Sequence, residues 1–199
     1  MFQDTASTVL PIELNGREIL FEARAYEDTS ASYQAMALVY RKHGRTSDIP
    51  LVRVHSGCVT GDIFHSLRCD CHQQLQMALE RITTSEHGII IYLPHHEGRG
   101  IGLVKKIKAY AEQDRGLDTV DANISIGAPI DSRDYRLAAN ILKDLGATTI
   151  RLMTNNPLKI EALRGFGITL TEQVPHIVSS SPHNAGYLKT KRDRMAHTL

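Results

Sequence analysis

Every cysteine of the 199-residue chain lies in one short segment, HSGCVTGDIFHSLRCDCHQQL, at residues 55–75. Because Cys58, Cys69 and Cys71 are odd in number, they cannot pair completely as disulfides, and a bond between Cys69 and Cys71 would be awkward across a single residue. Three thiolates match the ligand count of a catalytic zinc site, which leaves the fourth tetrahedral position to water. We therefore predict a zinc site, with a ligand-free cluster of small, half-buried residues as the alternative.

A second segment, HEGRGIG at residues 96–102, combines an acid and an arginine with alternating glycines. Glycines let backbone amides approach a ligand closely, and a glycine-rich turn that opens a helix suits an anionic group. The spacing of Gly98, Gly100 and Gly102 does not match a dinucleotide-binding fingerprint. This segment therefore predicts either an anion-binding turn or a tight turn without a ligand.

The segment TNNPLK, at residues 154–159, has the pattern of a helix start. Asn156 can cap the helix and Pro157 suits its first position. Capping explains every residue of the segment except Lys159, which would lie near the amide-rich helix end. Capping alone therefore leaves the role of Lys159 open.

The segment IDSRDY, at residues 130–135, places Asp131 and Arg133 just before another predicted helix. Taken alone, the pattern favours a helix-start role for Asp131 and a solvated side chain for Arg133. Any chemical role for the two residues needs a further argument.

The elements that must position these segments alternate along the chain. LPIELNGREILFEARAY predicts two strands joined at Asn15-Gly16, a strong hairpin signal, and YQAMALVYRK and IPLVRVHS predict further strands. Helices are predicted for QQLQMALERITTSEHG (ending at Gly88), GLVKKIKAYAEQDRG, SRDYRLAANILKDLG, NPLKIEALRGFG and NAGYLKTKRDRMAH, and strands for IIIYL, TTIRLMT and ITLTEQV. This order predicts an α/β fold with a mixed β-sheet flanked by helices, a β-rich N-terminal part, and a single domain over residues 1–199.

Three apolar strand candidates run directly into polar segments: LVRV into HSGC, IIIYL into PHHEGRG, and IRLM into TNNPLK. Ligands of open α/β sheets bind beyond the carboxyl ends of the strands. If the three strands are parallel neighbours, their polar segments converge on one cleft. The alternative is that polar loops follow these strands as they follow strands in any protein.

Composition and charge restrict the classes of function. The chain is 42% hydrophobic and 23% charged, and its 23 Lys and Arg nearly balance 22 Asp and Glu. A nearly neutral chain has no general electrostatic basis for binding nucleic acid or an anionic membrane, so neither is expected as a partner. No apolar run approaches the roughly 20 residues of a membrane span. The first residues, MFQDTASTVLP, lack the pattern of a signal peptide. Together with the free thiols, this predicts a location in the reducing cytoplasm.

Taken together, four segments resemble the GTP cyclohydrolase II family of riboflavin biosynthesis: RVHSGCVTGDIFHSLRCDCHQQL, EGRGIGLVKKIKAYAEQDRGLDTVDAN, DSRDY and TNNPLKIEAL. The resemblance extends from about Leu10 to the C-terminal YLKTKRDRM, which is almost the whole chain. It implies a zinc hydrolase, active as a homodimer, that opens the imidazole ring of GTP. C8 would leave as formate, pyrophosphate would be released, and the product would be a diaminopyrimidinone ribosyl 5′-phosphate.

The resemblance also implies roles for individual residues in catalysis. The three cysteines would hold one zinc ion per chain, which lowers the pKa of bound water to about 7 and provides a hydroxide for attack on C8 and then on the formyl group. Asp131 would accept a proton, and Tyr110 would help to complete ring opening. Arg133 would act on the α-phosphate, either as a nucleophile or, since a guanidinium stays protonated, through electrostatic attraction alone.

The contacts to GTP that the resemblance implies are Arg53, Gln74, Glu97, Arg99, Thr119, Thr154 and Lys159. Glu97 can accept from the N–H groups of guanine, whereas Arg53 and Lys159 suit phosphate. Guanine is therefore expected to be preferred over adenine, and magnesium is expected to accompany the triphosphate.

Several departures from the family pattern lie at or near this site. Gly57 replaces the glutamate of a usual His-Ser-Glu-Cys, and His72 follows Cys71 where glycine is usual. PHH precedes Glu97 where many members have Arg-Gln, and IGAPIDSRDY lacks the usual Leu-Gly-Phe. An added histidine could act as a base or a fourth metal ligand, with an exposed loop histidine as the alternative. Two other functions stay open: a variant hydrolase that stops at a formylated intermediate, uses another purine nucleotide or serves a secondary pathway, and a non-catalytic nucleotide-binding zinc module.

Overall fold

The computed structural model describes residues 2–29, 33–42, 49–178 and 184–195. In this part of the chain seven strands form one mixed sheet in the order β1-β2-β3-β5-β4-β6-β7. The strands are β1 (Phe2–Leu14), β2 (Arg17–Asp28), β3 (Gln34–Arg41), β4 (Leu51–Ser56), β5 (His87–Leu93), β6 (Thr149–Met153) and β7 (Thr169–Val174). The α-helices are α1 (Cys71–Thr84), α2 (Leu103–Asp114), α3 (Thr119–Ser125), α4 (Arg136–Asp144), α5 (Pro157–Gly165) and α6 (Ala185–Met195). The predicted α/β fold with strands in its N-terminal part is confirmed.

The predicted hairpin at Asn15-Gly16 is confirmed. Both residues have positive φ, 53° and 75°, which is the turn conformation that matches the twist of two antiparallel strands. β1 is antiparallel to β2, β2 to β3, and β3 to β5, so the N-terminal half of the sheet is antiparallel. β1 begins at Phe2, well before the predicted start near Leu10.

The other half of the sheet is parallel and determines where the site lies. β4 is parallel to both β5 and β6, and β6 is parallel to β7. The strands that end in HSGC, PHHEGRG and TNNPLK are therefore adjacent, as the sequence predicted. Because the carboxyl ends of parallel strands lie along the same edge of a sheet, the three polar segments meet there.

Two hydrophobic clusters, one on each face of the sheet, hold this frame together. Successive residues of β5 alternate between them: Ile89 and Ile91 pack with Ile141 of α4, whereas Ile90 packs with Ile82 of α1. All five of these side chains are at most 1% exposed. None of the helices in the described ranges combines the length and the apolar character that crossing a membrane requires.

The predicted end of the first helix at Gly88 is wrong. α1 ends at Thr84, and Gly88 lies in β5, where α1 packs against the strand. A Cβ atom at Gly88 would come within 2.6 Å of Ile82 Cγ2, so this close approach requires glycine. The predicted start of α4 at Ser132 is also wrong, since the helix begins at Arg136.

Replacement of Gly88 by alanine is expected to destabilise the protein by about 1–3 kcal/mol, because the added methyl group overpacks a rigid contact. Gly165→Ala is the matched control, since the new Cβ position at that helical glycine has no atom within 4 Å apart from the nearby backbone of its own helix and its chain neighbours. Urea unfolding of both variants measures the effect. Equal unfolding midpoints for the two variants would contradict the packing argument.

Candidate active site

The three polar segments line one cavity at the carboxyl edge of β4, β5 and β6. The proposed site residues that line it are Arg53, Cys58, Cys69, Cys71, Gln74, Arg99, Tyr110, Thr119, Arg133, Thr154 and Lys159. Asp131 and Glu97 do not line the cavity, although each contacts a residue that does. The convergence predicted from the strand order therefore brings almost the whole proposed set together.

The three cysteine sulfur atoms lie together at one wall of the cavity. Cys58 Sγ and Cys69 Sγ are 3.7 Å apart, and the sulfur atoms of all three cysteines lie within 4.8 Å of one another. A tetrahedral metal with metal–sulfur bonds of about 2.3 Å separates its sulfur ligands by about 3.8 Å. The cysteine cluster therefore fits a metal ion, and a soft one, because all of its donors are thiols.

Glycine at position 61 allows the sulfur atoms to meet. Cys58 is followed by a short π-helical turn, Val59–Ile63, in which Gly61 N donates to Cys58 Sγ at 3.3 Å. A Cβ atom at Gly61 would lie 2.8 Å from Cys69 Sγ and 2.9 Å from Cys71 Cβ. Any larger residue would therefore push the three cysteines apart.

The carboxylate of Asp62 fixes the position of the Cys58 backbone. It accepts from Cys58 N at 2.9 Å and from the Tyr92 hydroxyl at 3.0 Å, and His55 Nε2 lies 3.1 Å from both of its oxygens. His55 is 2% exposed, so this network is buried behind the cysteines. Groups of this kind orient metal ligands and are part of a metal site.

The three thiols compete for negative charge. Hydrogen bonds from Cys69 and Cys71, and then from Lys106, lower the pKa of Cys58. The neighbouring Cys58 raises the pKa of Cys69 to about 11 and raises that of Cys71 well above its ordinary value. A divalent cation among the sulfur atoms would offset this repulsion, because all of its thiol ligands bind as thiolates.

The rest of the cavity is positively charged. Five basic side chains line it: Arg53, Arg99, Lys106, Arg133 and Lys159. Among the described residues that line the cavity there is no Asp or Glu. Burial lowers the pKa of Arg53 to about 10, which still leaves the guanidinium protonated at neutral pH. Such surroundings suit a ligand that carries several negative charges.

The helix start predicted at TNNPLK is confirmed, and it presents Lys159 to the cavity. Asn156 caps α5 by accepting from Leu158 N at 3.0 Å, and Pro157 is the first helical residue. Lys159 is 4% exposed, and its Nζ donates to Val54 O, the carbonyl of a β4 residue, at 2.6 Å. The lysine that capping could not explain is therefore held by the sheet at the site.

Asp131 and Arg133 form a largely shielded ion pair, so the helix-start and solvated interpretations are wrong. Nε and Nη2 of Arg133 donate to the two carboxylate oxygens at 2.9 and 2.5 Å, and the Arg133 side chain is only 11% exposed. Burial alone would raise the pKa of Asp131, but hydrogen bonds from Arg133 lower it. Asp131 is therefore an ionised carboxylate that holds the guanidinium in one orientation.

His96 is buried and fully hydrogen-bonded, so it is neither an exposed loop residue nor free to bind a metal. Its Nε2 donates to Asp134 O at 2.9 Å, which leaves Nδ1 to accept from Ser56 Oγ at 3.1 Å. Ser56 Oγ in turn accepts from Arg133 Nη1 at 3.4 Å. Burial lowers the pKa of His96 to about 3, so the ring is neutral. Through the Ser56 hydroxyl, the ring helps to fix the position of Arg133.

His72 is also not an exposed loop residue. It lies in α1, is half-buried, and its ring centroid is 3.8 Å from that of His65. The group of metal-ligating side chains found in the described ranges consists of the three cysteines, without His72. The structure therefore gives no support for a fourth protein ligand.

Glu97 and Lys106 form a buried ion pair beside the cysteines. Lys106 Nζ donates to Glu97 Oε1 at 2.6 Å and to Cys58 Sγ at 3.0 Å, and Glu97 Oε2 accepts from Val59 N at 2.6 Å. Sequence reasoning missed Lys106. The available signal was its spacing, since Lys106 lies one helical turn before Tyr110 and shares the buried face of α2 with Ala109.

The chain is similar to known proteins over most of its length. The family model described as GTP cyclohydrolase II matches residues 4–175. The riboflavin biosynthesis protein RibBA of Salinispora tropica is 49% identical over 179 residues, which are 90% of this chain and 44% of that protein. RibBA of Nocardia farcinica is 50% identical over 179 residues, with 90% and 43% covered.

A plant protein gives a similar match. The monofunctional riboflavin biosynthesis protein RIBA 3, chloroplastic, of Arabidopsis thaliana is 48% identical over 178 residues, which are 89% of this chain and 35% of that protein. The chain thus spans less than half the length of these curated relatives.

Proposed function

Because the chain belongs to the GTP cyclohydrolase II family, we propose that it opens the imidazole ring of GTP by hydrolysis. C8 would leave as formate, pyrophosphate would be released, and a diaminopyrimidinone ribosyl 5′-phosphate would result. The observation that carries the proposal is one cavity in which three sulfur atoms spaced for a metal meet five basic side chains. The names of the relatives refer to riboflavin biosynthesis, and we propose the same pathway for this chain.

Cys58, Cys69 and Cys71 would hold one zinc ion per chain. Their donors fit, because thiolates favour zinc over hard cations, and the sulfur spacing suits a tetrahedral metal. When bound, zinc would act as a Lewis acid that lowers the pKa of a water molecule to about 7. Magnesium would instead accompany the triphosphate, since it prefers phosphate oxygens.

Tyr110 and Asp131 would donate and accept protons during ring opening. Burial raises the pKa of Tyr110 to about 12, so its phenol is protonated at neutral pH and can donate to a nitrogen of the opening ring. Asp131 is ionised and can accept a proton, while it also orients Arg133. The two side chains therefore offer one acid and one base.

Arg53, Lys159 and Arg133 would bind the phosphate groups. Arg53 and Lys159 are 6% and 4% exposed, and charges that are shielded from water attract an anion more strongly. Arg133 would stabilise the α-phosphate as pyrophosphate leaves, because a guanidinium fixed by Asp131 is a preorganised donor. The other proposed contacts to GTP that line the cavity are Gln74, Arg99, Thr119 and Thr154.

We also propose a homodimer located in the cytoplasm, as the family resemblance implies. The three cysteines are unpaired thiols, which persist in a reducing compartment. Light scattering of the purified protein measures whether it is a dimer, and fractionation of cells measures its location.

The proposed function is tested by incubating the purified, zinc-loaded protein with GTP and magnesium. We expect formate and pyrophosphate in equal amounts, and a product mass that matches the diaminopyrimidinone. Pyrophosphate without formate would instead indicate a hydrolase that stops at a formylated intermediate. Binding of GTP without any product would indicate a non-catalytic module, and equal turnover of ATP would contradict the preference for guanine.

A further inference from the structure

Lys106 occupies an unusual position for a helical lysine. Its two neighbouring lysines on α2, Lys105 and Lys108, are exposed, whereas the side chain of Lys106 is 9% exposed. Burying an ammonium group is costly unless the charge is paired and hydrogen-bonded. Lys106 meets both conditions, since it bonds to Cys58 Sγ at 3.0 Å and to Glu97 Oε1 at 2.6 Å.

Glu97 connects the ammonium to the loop that carries the first cysteine. Its carboxylate is also 9% exposed, and its second oxygen accepts from Val59 N, the residue after Cys58, at 2.6 Å. Both carboxylate oxygens are thus bonded to protein groups. In this arrangement Glu97 holds Lys106 against the sulfur and holds the backbone of the cysteine loop.

We propose that Lys106 and Glu97 are positioning residues for the metal, and that Lys106 offsets the negative charge of the metal–thiolate group. Three thiolates and a divalent cation carry one net negative charge, and an ammonium at hydrogen-bond distance from one sulfur balances it. The inference rests on the proposed zinc site. It assigns Glu97 a role at the metal, which is separate from the contact to guanine that the family resemblance implies.

The alternative role for Lys106 is direct binding of a GTP phosphate, since it lines the cavity. The two roles differ in what they require of the protein without a nucleotide. A positioning residue affects metal affinity when no GTP is present, whereas a phosphate ligand affects only the KM for GTP.

The test is the zinc affinity of Lys106→Met, measured without GTP by competition with a chromogenic chelator. We expect zinc to bind about 10–100-fold more weakly than in the wild type, which is the usual effect of losing a group that orients metal ligands. Lys106→Arg should recover part of the affinity because it keeps the charge. Lys108→Met, on the exposed face of the same helix, should leave zinc affinity unchanged.

Glu97→Gln provides a second test that keeps the shape of the side chain. We expect weaker zinc binding than in the wild type when no GTP is present. Urea unfolding in the presence of the chelator establishes that each variant is folded. Unchanged zinc affinity in folded Lys106→Met and Glu97→Gln would overturn the proposal.

Because these affinities are measured without a nucleotide, their outcome is independent of the proposed activity. A protein whose zinc affinity depends on Lys106 but that does not open GTP would contradict the proposed function alone. A protein that opens GTP, and whose zinc affinity is unchanged when Lys106 or Glu97 is substituted, would contradict this inference alone.

Discussion

Cys69→Ser is expected to lose its zinc and with it formate release. A hydroxyl replaces one of only three thiolate ligands, so the metal should fall from one ion per chain towards zero. Without the metal, the pKa of the attacking water returns from about 7 to the much higher value of bulk water, and we expect ring opening to slow by roughly 1,000-fold or more at neutral pH. Elemental analysis together with a formate assay measures both effects.

Leu67→Ser is the matched control for this experiment. Leu67 lies in the same segment, is 56% exposed, and belongs to none of the groups that line the cavity. This variant should keep both zinc and activity, although it too gains a serine between Cys58 and Cys71. Full zinc content in Cys69→Ser, or full activity in a metal-free preparation, would contradict the assignment of the three cysteines.

The position of the site could be predicted from sequence because it follows from strand order. Parallel strands end at the same edge, so three apolar runs that lead into HSGC, PHHEGRG and TNNPLK bring their polar segments together whatever the side chains are. The cap at Asn156 was predictable for a similar reason, since capping depends on a few neighbouring residues. Local rules and strand order therefore account for most of the cavity.

The partners of individual side chains could not be predicted in the same way. Glu97 faces Lys106 and Val59 rather than the cavity, and His96 faces Ser56 and Asp134, because the turn at Pro94–Gly100 directs them there. That turn includes positive φ angles at its last residues, which no periodic pattern in the sequence indicates. Side-chain direction in irregular segments depends on tertiary contacts.

Gly57, one of the departures from the family pattern, lies where there is little room for a side chain. A Cβ atom at Gly57 would lie 3.0 Å from Pro94 Cα and 3.1 Å from the Tyr92 hydroxyl. The hydroxyl of Tyr92 is itself bonded to Asp62, which holds the backbone of Cys58. The space in which a side chain at position 57 would begin is therefore filled by β5 and the residue after it. Glycine at position 57 therefore fits a close approach to the backbone at Leu93 and Pro94 and to the Tyr92 hydroxyl, without involving the histidines of the PHH segment.

Arg133→Ala is expected to slow pyrophosphate release by on the order of 100-fold or more, the usual cost of removing a preorganised donor from a developing charge. Asp131 holds two nitrogens of the guanidinium and Ser56 accepts from the third, so Arg133 presents its charge in one fixed orientation. Arg133→Lys should recover only part of the rate, because an ammonium keeps the charge but cannot bridge both oxygens of Asp131. Quantifying pyrophosphate and formate in the same reaction measures the effect.

The comparison of Arg133→Ala with Cys71→Ser then separates the two bonds that are broken. If the cysteines serve only ring opening, Cys71→Ser should still release some pyrophosphate without formate, whereas Arg133→Ala should lose pyrophosphate release. Arg136→Ala controls for the loss of a positive charge from the same segment, since the Arg136 side chain is 69% exposed and should leave both products unchanged. Loss of both products in the same proportion in Arg133→Ala and Cys71→Ser would mean that metal and guanidinium act on one inseparable step. In that case the phosphate and the ring would have to be held by a single arrangement that either substitution destroys.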